Sequence, residues 1–163
     1  MGEVSDGSQL IIMGGKITVD AGGDGIDSNG TVTMSSGTVI VNGPTTDGNG
    51  ALDTTSFDIS GGTLVAAGSS GMAVAPSATS SQGWVMISQT LTTGQTIELL
   101  DQDTSLASYT AAKDISNIVI SAPGIVSGSS YSFEVDGSDS GTVTAGEAAA
   151  GMGGGMGQGP GPR

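Results

Sequence analysis

The densest run of side chains able to do chemistry is Asp24-Gly25-Ile26-Asp27-Ser28-Asn29, and Asp47-Gly48-Asn49 with Asp53 follows one repeat later. Hard cations such as Ca²⁺ take oxygens from carboxylates, Asn carbonyls and backbone, held by flexible Gly-rich turns. Asp24, Asp27, Asn29, Asp47, Asn49 and Asp53 are therefore the candidate metal ligands. Gly22-Gly23-Asp24-Gly25-Ile26-Asp27 fits the opening of the GGxGxDxUx calcium nonapeptide, but Asn29 stands at its apolar position and no nine-residue period follows. An EF-hand loop needs a Glu that is absent at the required distance. Taken singly, each Asp or Asn is read equally well as a turn former.

The other chemistry-bearing residues are sparser. Trp84, the single Trp, opens a strand beside Gly83; left exposed it would stack on a sugar ring, and buried it would anchor a junction. The pairs Asp101/Asp103 and Asp136/Asp139 fall beside turn residues and read as solvated loop charge. Two carboxylates at a defined separation serve glycoside hydrolysis, whereas a calcium-assisted lyase needs a basic residue near the metal. The basic residues are Lys16, Lys113 and Arg163 only, and His is missing altogether. Catalysis is disfavoured, and no catalytic residue is assigned.

The elements that must position these side chains repeat. Gly14-Gly15-Lys16-Ile17-Thr18-Val19, Ser36-Gly37-Thr38-Val39-Ile40-Val41 and Gly61-Gly62-Thr63-Leu64-Val65-Ala66 are versions of one phrase, spaced by 22 and then 25 residues. Self-similarity at such a period marks a solenoid. Ile17, Val39 and Leu64 fall at one position and Val19, Val41 and Ala66 two residues later. In the second strand of each coil Leu10, Val32, Phe57 and Val85 align, then Ile12, Met34, Ile59 and Ile87. Period-two alternation bounded by Gly and Asp predicts short strands, and like residues at like positions predict inward ladders of a parallel stack. The Asp-rich corners would then lie one strand spacing apart, about 4.8 Å, so that Asp27 sits over Asp53 or near Asp47. Val4-Ser5-Asp6-Gly7 resembles Ile26-Asp27-Ser28-Asn29, so the chain is expected to begin inside a coil.

Composition agrees with a stack. Aromatics are scarce and Gly is abundant, with 30 of 163 residues, so the core must come from ladders of β-branched residues. Sixteen acidic residues against three basic ones give a net charge of −13. Nucleic-acid binding is excluded, since no Lys/Arg stripe exists to replace phosphate counterions. A surface this acidic meets an anionic partner through a bridging cation or not at all. Without Cys there is no disulfide framework or thiolate zinc site. No apolar run approaches the length of a membrane span, and Met1 is not followed by a secretory leader; an exported protein would have its signal outside this chain.

The expected organisation is all-β: a short right-handed parallel β-helix over residues 1–88, a small antiparallel β cap over 89–140, and a disordered Gly/Met-rich tail over 141–163. After Ser88 the repeat is lost, and Gln95-Thr96-Ile97-Glu98-Leu99-Leu100, Asn117-Ile118-Val119-Ile120-Ser121 and Ser130-Tyr131-Ser132-Phe133-Glu134-Val135 read as the cap strands. The tail composition cannot offset the entropy of ordering by burial.

The residues also resemble a family. Gly23-Asp24-Gly25-Ile26-Asp27-Ser28-Asn29-Gly30, Gly37-Thr38-Val39-Ile40-Val41-Asn42-Gly43-Pro44, Gly48-Asn49-Gly50-Ala51-Leu52-Asp53 and the run Ile59 to Met72 are similar to the C-terminal part of secreted bacterial carbohydrate-binding-domain proteins. The resemblance is high over residues 10–76 and looser through the cap. It implies a right-handed parallel β-helix, calcium, and binding of acidic plant polysaccharide of the polygalacturonate type, in a secreted or cell-surface protein. Members are usually longer, so the chain is expected to be a C-terminal fragment. The expectation is a non-catalytic, calcium-assisted module for uronate-rich polysaccharide. The alternative is a subunit of an extracellular filament or matrix fibre, self-associating end to end through open β-helix ends.

Overall fold

A computed structural model describes residues 5–147. Among the described residues there are ten strands and no helix: β1 (Gln9–Asp20), β2 (Ile26–Asn42), β3 (Leu52–Ile59), β4 (Thr63–Gly68), β5 (Trp84–Ile87), β6 (Thr96–Asp101), β7 (Thr104–Thr110), β8 (Asn117–Ser121), β9 (Ser130–Val135) and β10 (Ser138–Thr144). The chain is all-β, and no helix is long and apolar enough to cross a membrane among these residues.

The first half stacks as the repeat demands. β1 pairs with β2 in parallel, with Leu10 against Val32 and Ile17 against Val39. β2 pairs in parallel with β3 through Val32–Phe57 and Met34–Ile59, and with β4 through Val39–Leu64 and Val41–Ala66. The Gly at each corner is required by geometry: Gly15, Gly37 and Gly62 have φ of +81°, +96° and +88°. A Cβ on Gly37 would also lie 2.7 Å from the Gly15 carbonyl oxygen, and one on Gly62 2.6 Å from that of Gly37. Each repeat therefore rests on the backbone of the one before it.

The stack does not continue as a parallel coil. β8 enters antiparallel beside β4 and β5 pairs antiparallel with β8, giving the sheet order β1-β2-β4-β8-β5, with β3 off β2. Val85 and Ile87 do not join the ladder of Phe57 and Ile59. They face a second core with Val65, Ala67, Ile118 and Ile120, while Trp84 and Met86 face the first core with Phe57, Leu64 and Ala66. The phase is shifted by one residue from the expected one. The cause is visible in the strand: Trp84-Val85-Met86-Ile87 is apolar at every position because both of its faces are buried, and a strand without alternation leaves its phase open.

The second core is closed by an antiparallel sheet of order β10-β9-β6-β7, which contributes Ile97, Leu99, Tyr109, Tyr131 and Phe133. Residues expected to start the tail are part of this sheet: β10 runs to Thr144, and the Gly146 amide donates to the Trp84 carbonyl at 2.8 Å. The rest of the expected tail lies outside the described residues. Two contacts tie this sheet and the loop after β7 to the parallel rungs. The Tyr109 hydroxyl donates to buried Asn42 Oδ1 at 2.7 Å. Lys113 pairs with Asp20 and donates to the Ala21 carbonyl at 2.7 Å.

Candidate functional site

The acidic corner is built by the turn at 21–25 resting on the longer turn at 43–51. Backbone bonds join them: the Gly25 amide donates to the Gly50 carbonyl at 3.1 Å and the Ile26 amide to the Ala51 carbonyl at 3.0 Å. Asp24 Oδ1 accepts the Gly50 amide at 2.8 Å, so one oxygen of this carboxylate is committed to holding the two turns together. Beyond the turns, Ile26 and Leu52 pair in register and bring Asp27 directly against Asp53. The extra length of the second repeat lies in this corner, where the offset rises from 22 at Asp20–Asn42 to 26 at Ile26–Leu52.

Of the six candidate ligands the structure sets Asp27 against Asp53, with Asp24 near enough for its charge to act on Asp53. The Asp53 carboxyl is held above its ordinary value, first by partial burial and then by the negative charges of Asp24 and Asp27. The other three sit differently. Asn29 is exposed and lies where the β2–β3 register shifts between Ser28 and Thr31. Asp47 is exposed and its backbone packs against Gly71, where a Cβ would come 2.7 Å from the Asp47 carbonyl oxygen. Asn49 offers its carbonyl to Ser69 Oγ at 3.1 Å, with its side-chain amide near Gly23.

Calcium takes six to eight oxygens, and no group of three or more acidic, His or Cys side chains is arranged to hold a metal among the described residues. Asp27 and Asp53 furnish only part of such a shell. A cation here would need oxygens from another source, such as the carboxylates of a bound ligand.

Trp84 is not a sugar platform. It is only 6% exposed, packs in the first core, and its indole N–H points to the Ser77 carbonyl at 3.3 Å. Stacking on a sugar needs an open ring face, and this one is spent on Phe57 and its neighbours. Of the loop carboxylates, Asp136 accepts the Thr96 amide at 2.9 Å and Gln95 Nε2 at 3.1 Å, which is a structural task.

A second acidic feature was not singled out by the sequence. On the outer face of the second sheet Glu98 lies opposite Glu134, and Glu134 opposite Asp139, in one row across three strands. They line a shallow hollow of about 530 Å³ with Gln102, Ser132 and Thr142. Alternation placed Glu98 and Glu134 on strands, but only the strand order makes them neighbours. A smaller hollow of about 290 Å³ is lined by Thr33, Ser60, Thr79 and Ser80, with Thr79 Oγ1 donating to Asp58 at 3.2 Å.

Comparison of the chain with protein families, curated proteins and solved structures finds no match.

Proposed function

We propose that the chain is a non-catalytic, extracellular binding module for acidic, uronate-rich polysaccharide, with Ca²⁺ recruited between corner carboxylates and sugar carboxylates. The observation that carries this reading is the pairing of Asp27 with Asp53 beside Asp24. Carboxylates this close favour a counter-cation, and in a protein of net charge −13 a cation is also what allows a polyanion to approach. The incomplete oxygen shell supports a metal shared with the ligand over one resident in the protein. The parallel rungs β1, β2, β3 and β4, in register at 22 and 25–26 residues, support reading the coils as a short right-handed parallel β-helix. A binding role without turnover is supported by the absence of His from the sequence and by Lys113, whose ammonium is tied to Asp20 and to backbone carbonyls.

The test is retention on immobilised polygalacturonate in calcium and in chelator. The expected result is retention in calcium, release by chelator, and loss of retention in Asp27→Asn/Asp53→Asn with an unchanged circular dichroism spectrum. Equal retention in both buffers removes the cation from the reading, and no retention in either removes the polysaccharide.

A further inference from the structure

We infer that Asn29 is a site of covalent modification, where the side-chain amide is lost spontaneously through a cyclic imide closed by the Gly30 nitrogen. The chemistry needs water alone. The Gly30 nitrogen gives up its proton and attacks the Asn29 side-chain carbonyl carbon, which releases its own nitrogen as ammonia. Water then opens the ring at either carbonyl. Opening at the side-chain carbonyl leaves Asp; opening at the main-chain carbonyl leaves isoaspartate, with the chain rerouted through the side chain. Glycine is the most favourable following residue, because no Cβ crowds the attacking nitrogen.

Three of the four Asn residues precede Gly: Asn29-Gly30, Asn42-Gly43 and Asn49-Gly50. As dipeptides they are equivalent, and the fold separates them. The Asn carbonyls do not make the difference, since each accepts a bond, from the Asp6 amide, the Ala21 amide and the Ser69 hydroxyl respectively. The glycine amides do. That of Gly43 donates to the Ala67 carbonyl of the next rung at 2.8 Å, and Asn42 is buried with its Oδ1 taken by Tyr109. That of Gly50 donates to the Asp24 carboxylate at 2.8 Å, a charge-assisted bond of the stronger kind. Neither nitrogen turns onto its Asn without breaking a bond between separate segments.

Asn29-Gly30 differs on each count. The β2–β3 offset drops from 26 at Ser28–Thr54 to 25 at Thr31–Ser56, so Asn29 and Gly30 together oppose Thr55 alone. This is a β-bulge, which leaves a residue out of the ladder and bends the strand. The Gly30 amide donates to the Ser28 hydroxyl at 3.2 Å, within its own strand. The Asn29 side chain is exposed, so ammonia leaves to solvent and water reaches the ring. The product carries a new carboxylate two residues from Asp27, which is exposed on the same face of β2.

The test is incubation of the folded full chain at mildly alkaline pH in water enriched in heavy oxygen, followed by peptide mass mapping. The expected result is label at position 29 first. Asn49 should lag about tenfold, because a charge-assisted bond must break before its ring closes, and Asn42 should be slower still. In urea the three sites should converge, since the ranking belongs to the fold. Asn29→Gln, at an exposed position, should remove the early product. Asp24→Ala frees the Gly50 amide and should speed Asn49 about tenfold with Asn29 unchanged. A rate at Asn42 or Asn49 equal to that at Asn29 in the folded chain overturns the proposal. So does a ranking that persists in urea, or an Asn29→Gln chain that labels as fast as wild type.

Discussion

The two ends of the row of parallel rungs β1, β2 and β4 are finished in opposite ways. At the β4 end the last parallel rung is covered edge-on by β8 and face-on by the second sheet, so Leu64, Ala66, Val65 and Ala67 are all buried. At the β1 end the first rung carries the same type of ladder residues, and only Ile12 among its twelve residues is fully buried. Chain composition is similar at both ends. What differs is whether a segment among the described residues covers the rung. Burial is therefore a property of neighbours, and apolar side chains at equivalent ladder positions contribute very different amounts.

The sharpest way to break this contrast is at the covered end. Ile118→Ala removes a side chain at 0% exposure that packs in the second core, and should lower unfolding free energy in urea by about 2–5 kcal/mol. Ile11→Ala, at 57% exposure on β1, should change it by no more than about 0.5 kcal/mol. Next come the corner glycines. Gly62→Ala must adopt positive φ and push its Cβ into the Gly37 carbonyl, a loss of about 3 kcal/mol from conformational strain and overpacking together. Gly15→Ala has positive φ but open space around its Cβ, so about 1 kcal/mol is expected. Thermal unfolding of the pair reads the difference directly.

Tyr109→Phe tests the lock between the second sheet and the coils. It strips buried Asn42 Oδ1 of its donor, for an expected loss of about 1–3 kcal/mol by urea unfolding. The smallest effect lies at the acidic corner. Asp53 is held above its ordinary pKa in the folded chain, so the stability it contributes is full below the unfolded value near 3.8 and is lost as pH rises through the folded one. Asp53→Asn should therefore stabilise slightly at pH 7, by no more than about 0.5 kcal/mol for so open a group. The gain should vanish as pH falls towards 4. Asp6 and Asp114 shift the other way, through hydrogen bonds to Ser8 and to Thr93, so the wild-type and variant curves must be compared at each pH.

The parallel rungs were legible because each ladder residue has a like residue 22 or 25 positions away; that spacing left Asp27 over Asp53 or near Asp47, and the structure pairs it with Asp53 at an offset of 26. Two things were hidden. The strand Trp84–Ile87 is apolar on both faces, so its sequence carries no phase, and the segment that pairs with it comes later in the chain. The row Glu98–Glu134–Asp139 was hidden for a related reason. Alternation tells which face a side chain takes, but only the order of strands tells which carboxylates become neighbours.

The placement of β8 between β4 and β5 also sets a sequence of events in time. β5 is made before β8, yet it is hydrogen-bonded into the sheet only through β8. As the chain leaves the ribosome, the rungs up to β4 can stack while β5 waits without a partner and the edge of β4 stays bare. Closing that gap requires a long loop to be pinned, which slows folding relative to local contacts. The interval between synthesis of Ile87 and Ser121 is when this chain is most open to mispairing, and when an assisting chaperone would have the most to hold.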